Sequence, residues 1–188
     1  MTELCALPLE PATRDALLRA TPSLRAFAIS LTNNVDRADD LVQDTLVRAL
    51  ANIDRFQPGT NLNAWLFTIL RNLFHSEYRK RRREVEDADG AYAANLSVMP
   101  AQGAHLDFAD FQTALAKISP DQREALLLVG ASGFSYEDTA AICGCAVGTV
   151  KSRVNRARVR LAELLHLSDP DADIGPDRLT LAAMLPAS

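Results

Sequence analysis

"TVKSRVNRARVRL", residues 149–161, places five cationic side chains, Lys151, Arg153, Arg156, Arg158 and Arg160, in thirteen positions with no acid among them. At about 100° per residue, Val150, Val154, Ala157, Leu161, Leu164 and Leu165 fall on one stripe, with Lys151, Ser152, Asn155 and Arg156 opposite. The stretch therefore reads as a helix with a core side and a reading side. A merely solvated basic helix ordinarily interleaves acids with its cations, whereas no acid lies between Asp138 and Glu163.

The residues upstream give this helix a context. Ser119 as N-cap, Pro120 at the first helical position and Gln122 three residues after the cap predict a capping box and a helix ending near Gly130. Gly133 leads to a second cap at Ser135, a short helix over YEDTAAIC, a tight GCAVG connection and a long helix from about Gly148 to Leu165. Helix, short turn, helix is the DNA-binding helix-turn-helix pattern. Its second helix enters the major groove by its N-terminal part, where Arg or Lys pairs with guanine and Asn with adenine.

No segment alternates with the period of a strand, so the fold class is all-α. A first helix spans roughly 13–33, with a break expected at Pro22, and buries Leu17, Leu18, Leu24, Phe27 and Leu31. Asp36 is the expected cap of a second helix to about Asn52, whose inner stripe is Ala38, Leu41, Val42, Thr45, Leu46, Ala49 and Leu50. After a turn at Pro58-Gly59, Thr60 or Asn61 caps a third helix that turns Leu62, Trp65, Leu66, Ile69 and Leu73 to one side and runs into RKRRR. Four segments result: a first helical domain at 1–83, an acidic, Gly- and Pro-interrupted flexible linker at 84–118, a second helical domain at 119–167 and an acidic tail at 168–188.

The overall charge of −4 conceals an uneven distribution. Residues 1–83 carry 12 basic and 9 acidic side chains, whereas 84–118 carry 1 and 6. Basic groups concentrate at 79–83 and 151–160, where a phosphate backbone would be attracted. No apolar run approaches the roughly 20 residues of a membrane span, and the first residues lack a secretory signal, so a cytoplasmic protein is expected. Cys5, Cys143 and Cys145 do not suggest a disulfide framework. The C-x-C pair lacks a second pair of zinc ligands, and His75, His105 and His166 have no catalytic partners in recognisable spacing. Neither a metal, nor a cofactor, nor enzymatic activity is expected.

Two longer stretches together resemble a known family. SPDQREALLLVGASGFSYEDTAAICGCAVGTVKSRVNRARVRLAELL is similar to the promoter-binding C-terminal domain (region 4) of bacterial extracytoplasmic-function sigma factors. DDLVQDTLVRALANIDRFQPGTNLNAWLFTILRNLFHSEYRKRRR resembles the N-terminal domain (region 2) of the same family. REVEDADGAYAA and the C-terminal stretch look like its general-stress-response branch. The resemblance spans about residues 12–167 and implies a subunit that binds core RNA polymerase and recognises two elements of promoter DNA.

Residue by residue, it implies that Asp39, Asp40, Gln43 and Asp44 dock on the clamp helices of the largest polymerase subunit. It implies that Phe56, Asn61 and Asn72 hold an extruded base of the start-proximal element, beside Arg79, Lys80, Arg81, Arg82 and Arg83 on the backbone. The expected recognition-helix contacts to DNA are Thr149, Lys151, Ser152, Arg153, Asn155, Arg156 and Arg158. Structural roles compete at several positions: Phe56 as core, Asn61 as a cap, Asp39 as a first-turn acid, and Trp65 as packing. The stress-response branch further implies a small anti-sigma factor, itself removed by a phosphorylated sigma-like response regulator.

Two other classes remain beside this one. A sigma-like decoy that sequesters an anti-sigma factor would carry a receiver domain, for which DPDADIGPDRLTLAAMLPAS is too short, and has no need of two basic clusters. A dimeric helix-turn-helix regulator would leave the acidic docking helix and base pocket unexplained.

Overall fold

A computed structural model of the chain describes residues 10–57, 59–86 and 106–166; the acidic tail, Cys5, His105 and most of the expected linker lie outside the described residues. Within them the fold is all-helical: α1 (Pro11–Thr32), α2 (Val35–Ala51), a single 3-10 turn (Ile53–Arg55), α3 (Leu62–Glu86), α4 (Leu106–Ala116), α5 (Pro120–Gly130), α6 (Tyr136–Cys143) and α7 (Val147–Leu164).

Helix α1 continues through Pro22 instead of breaking there. Proline removes the donor that would serve the Leu18 carbonyl, but Leu18 is 65% exposed, so water can take that donor's place. The same exposure removes Leu18 from the expected core. Asn33, in the left-handed region at φ 50°, ends α1. Asn34, not Asp36, then caps α2 by accepting from the Arg37 backbone N–H at 2.8 Å. Asp36 lies two positions after the cap, within the first turn.

The α1–α2 hairpin packs against α3 through Leu24, Phe27, Leu41, Val42, Leu66 and Leu70. Leu50 faces outward, unlike the rest of the α2 stripe. In the C-terminal half, Ala125, Leu126, Leu128, Ile142, Val150, Val154, Ala157 and Leu161 form the centre. Helix α5 starts at Pro120 without a side-chain bond from Ser119, so the expected capping box does not form. Ser135 does cap α6, accepting from Asp138 N–H at 2.9 Å. Gly144 (φ 64°) then reverses the chain in the left-handed region, with Cys145 N–H bonded back to Ala140 O at 3.1 Å.

Residues 106–116, assigned to the linker from sequence, form α4 instead. Phe111, Ala114, Leu115 and Ile118, spaced by three and four, are buried, and α4 contacts α7, so this segment belongs to the C-terminal module. Helix α3 also runs beyond Arg83 to Glu86.

The two modules pack on one another into a continuous core, α3 against α6 and α1 against α5. Phe67 of α3 sits between Phe27 (centroids 5.2 Å) and Phe134 (4.8 Å, edge-on), joining the N-terminal bundle to the loop before α6.

Candidate nucleic-acid interface

On α7 the expected division of faces is present. Val150, Val154, Ala157 and Leu161 are buried, whereas Lys151, Asn155 and Arg156 are exposed. Arg156 forms no ion pair among the described residues. Lys151 Nζ lies 5.8 Å from the ring centre of Tyr136 on α6, a cation–π contact that sequence spacing did not reveal. Thr149 and Ser152 are half-buried, and the Ser152 hydroxyl donates to Thr149 O at 2.9 Å. Arg158 is also half-buried.

Arg153 is placed differently from the expectation. It leaves the reading face, pairs with Asp121 in the first turn of α5 and lies 3.8 Å from Cys145 Sγ. The guanidinium thus ties the recognition helix to the start of α5. The acid that partners it is thirty-two positions away, beyond the reach of any helical-wheel argument.

In the N-terminal module, one stripe of α3 gathers the expected start-proximal residues. Steps of about 100° bring Trp65, Asn72, Arg79 and Arg83 to the same side as the helix start at Asn61. Phe56 lies against Trp65, with ring centres 5.4 Å apart, giving a half-buried aromatic pair at the head of the stripe. Asn61 is the cap, its Oδ1 accepting from Ala64 N–H at 3.2 Å while the side chain stays exposed. Asn72, Arg79 and Arg83 are exposed along the same line. For Arg82 the side chain lies outside the described part.

Lys80 and Arg81 turn away from that stripe. They line a cleft between α3 and α2 together with Arg37, Asp40, Gln43, Asp44 and Glu77. The acids and amide expected to grip polymerase therefore face two of the cations expected to touch DNA. Burial, then the nearby Arg81, pulls the Arg37 guanidinium below the usual arginine range, with Glu77 opposing. Asp39 stands apart, held by Arg25 of α1 at 2.6 and 3.2 Å in a two-point contact. That bond keeps its carboxyl below the usual range, so Asp39 clamps the α1–α2 hairpin as well as facing solvent.

Cys143 is buried at the end of α6, and its thiol is pushed up to about 12, chiefly by burial and next by Glu124. Among the described residues no cluster of histidine, cysteine or acidic side chains is arranged to hold a metal ion. None of their helices is long and apolar enough to cross a membrane.

A helix-turn-helix module joined to a helical bundle with an aromatic, amide and cation stripe defines a two-module transcription protein of the helix-turn-helix class. Residues 17–84 match the family Sigma-70 region 2, and residues 108–161 match Sigma-70, region 4. The chain belongs to the extracytoplasmic-function branch of the sigma-70 family of RNA polymerase sigma factors.

It is 71% identical over 171 residues to the ECF RNA polymerase sigma factor EcfG of Rhodopseudomonas palustris (strain TIE-1), covering 91% of this chain and 94% of that protein. Among solved structures it is similar to the sigma factor RpoE of Bartonella quintana in complex with the anti-sigma factor NepR. That match has a TM-score of 0.76 at 59% identity and covers 84% of this chain and 99% of the other. It also shares its fold with the anti-anti-sigma factor PhyR of Bartonella quintana, complexed with NepR. There the TM-score is 0.53 at 18% identity, covering 80% of this chain and 49% of that one.

Proposed function

We propose that this chain, as a sigma factor of the general-stress-response type, directs RNA polymerase to promoters by using α7 and the α3 stripe as separate reading surfaces. The observation that carries this assignment of surfaces is the outward face of α7. Lys151, Asn155 and Arg156 stand exposed on a helix whose opposite face is fully buried, the arrangement that base-edge readout in a major groove requires. The Phe56–Trp65 pair supplies a surface on which an unstacked base can lie, with Asn61 and Asn72 as amide partners and Arg79 and Arg83 along the backbone.

Asp40, Gln43 and Asp44, open on the α2 side of the cleft, are the polymerase-docking residues, with Asp39 beside them. The chain acts in the cytoplasm by binding and positioning, and catalyses no bond change itself. A small anti-sigma factor of the kind bound by the Bartonella relative is its inhibitor, released by a phosphorylated sigma-like regulator.

Transcription in vitro from a promoter library with core polymerase tests the proposal. Promoter-selective transcripts that require the chain, and weaken on changing Asn155 and Arg156, are the expected result. Tight binding of the chain alone to a palindrome, with no response to core polymerase, would replace this reading with that of an ordinary regulator.

A further inference from the structure

Tyr136 is the first residue of α6, and the cap before it fixes its place. The Ser135 hydroxyl accepts from the Asp138 backbone N–H at 2.9 Å and donates to Asp138 Oδ2, also at 2.9 Å, which locks the start of the helix. The phenol ring is half-buried and packs against the core of the C-terminal module. Lys151 Nζ stands over that ring, 5.8 Å from its centre. Lys151 itself is exposed in the second turn of α7, one turn before Asn155 on the outward side.

Lys151 and Arg153 are held in chemically different ways. Arg153 is bound by the Asp121 carboxylate, which occupies guanidinium donors and draws the side chain off the reading face. Lys151 forms no ion pair among the described residues, and its partner is the aromatic face. A ring attracts the ammonium through its quadrupole and accepts no conventional hydrogen bond, so the N–H donors stay available to acceptors on a base edge. A lysine without such a contact carries a long, flexible stem whose freedom is lost on entering a groove. The anchored ring removes part of that freedom before DNA arrives.

We propose that Tyr136 is a positioning residue for promoter recognition: its ring holds the Lys151 ammonium on the outward side of α7, directed at the O6 and N7 acceptors of a guanine in the major groove. This rests on the α7 reading surface proposed above and adds a residue of α6 to it. Tyr136 acts through Lys151 and makes no base contact of its own. The ring is essential to that role and the hydroxyl is not.

Full-length Tyr136→Phe, Tyr136→Leu, Lys151→Ala and Tyr136→Leu/Lys151→Ala variants test it, with helical content checked by circular dichroism. In the free chain, NMR of labelled lysine should show a ring-current shift on the Lys151 side-chain protons, assigned as the signal missing from Lys151→Ala. The shift should persist in Tyr136→Phe and vanish in Tyr136→Leu; a wild-type chain without it overturns the contact. Binding of the polymerase holoenzyme to promoters differing at single base pairs gives the functional readout. Lys151→Ala should abolish the guanine preference at one position. Tyr136→Leu should weaken discrimination at that same position by about two- to five-fold, the range of an exposed cation–π contact, and leave the other positions and the salt slope unchanged. Tyr136→Phe should match wild type, and in the Lys151→Ala background Tyr136→Leu should cost nothing more. Equal loss in Tyr136→Phe and Tyr136→Leu, a uniform loss at every position, or additive losses in the double variant would overturn the proposal. Should Tyr136→Leu lose helical signal, Tyr136→Met replaces it under the same outcomes. Lys151→Ala without effect at any base pair overturns the reading role of Lys151 and the positioning role with it. An effect of Lys151→Ala with none of Tyr136→Leu overturns the positioning role alone.

Discussion

Arg153 and Asp121 are joined across the C-terminal module, the guanidinium of the recognition helix meeting a carboxylate in the first turn of α5. The pair separates two kinds of cation on one helix. Arg153→Ala should cost up to about 1 kcal/mol of stability, given that Asp121 is largely exposed, and leave base preference unchanged. Arg156→Ala should instead leave stability nearly unchanged and lower promoter affinity by about 1 to 3 kcal/mol, with preference relaxed at one base position. Chemical denaturation and binding to a set of single-base promoter variants, measured as polymerase holoenzyme, check both outcomes.

The Phe56–Trp65 contact makes a further distinction. Phe56→Ala should reduce the open promoter complex by about 1 to 3 kcal/mol, the usual contribution of one base stacked on an aromatic ring, while binding to closed duplex changes little. Permanganate reactivity of unpaired thymines within the promoter reads the first effect, and retention of the closed complex reads the second.

Arg79 and Arg83 follow one line along α3, whereas Lys80 and Arg81 face α2. Changing Arg79 and Arg83 together to alanine should flatten the plot of log affinity against log salt by about two, roughly one unit for each lost phosphate contact. Changing Lys80 and Arg81 should alter polymerase affinity more than this slope. A titration of promoter binding between low and moderate salt decides between the two pairs.

Burial acts to raise the Glu124 carboxyl, but the facing His75 and Arg71 outweigh it and hold the group below the ordinary carboxylate range. The neighbouring Cys143 thiol stays protonated. With the folded-state value depressed, the contribution to stability is complete above the unfolded glutamate value of about 4.3 and is lost as pH falls through the folded value. Thermal unfolding followed from pH 7 down to pH 3 should show this acid-side loss in wild type and a flatter profile in Glu124→Gln.

The same burial predicts uneven thiol chemistry. At pH 8, iodoacetamide should modify half-buried Cys145 at least about ten times faster than Cys143, whose thiolate is scarce. Peptide mass mapping after timed labelling measures the ratio.

Much of the fold was legible because single helices announce themselves locally. The stripe from Val150 to Leu161, the Ser135 cap and the division of α7 into two faces all follow from spacing within one segment. The α4 helix was legible too, in the spacing of Phe111, Leu115 and Ile118, but the Gly, Pro and acidic residues before it drew the boundary too far along the chain. The docking of the two modules was not legible. Phe67 and Arg71 lie off the stripe chosen for α3, since a helix wedged between the α1–α2 hairpin and α6 is covered on more than one side and no single apolar face describes it. Arg153, Glu124 and Tyr136 likewise acquire their roles from partners on other elements, which sequence separation hides.

At Gly144 the left-handed backbone sets the direction in which the chain leaves α6 toward α7. Aim and content are thus specified by different atoms: the turn decides how the helix would approach a duplex, and the outward side chains decide what it would recognise there. Exchange of a few surface groups would then change what such a protein recognises without changing how its helix is presented.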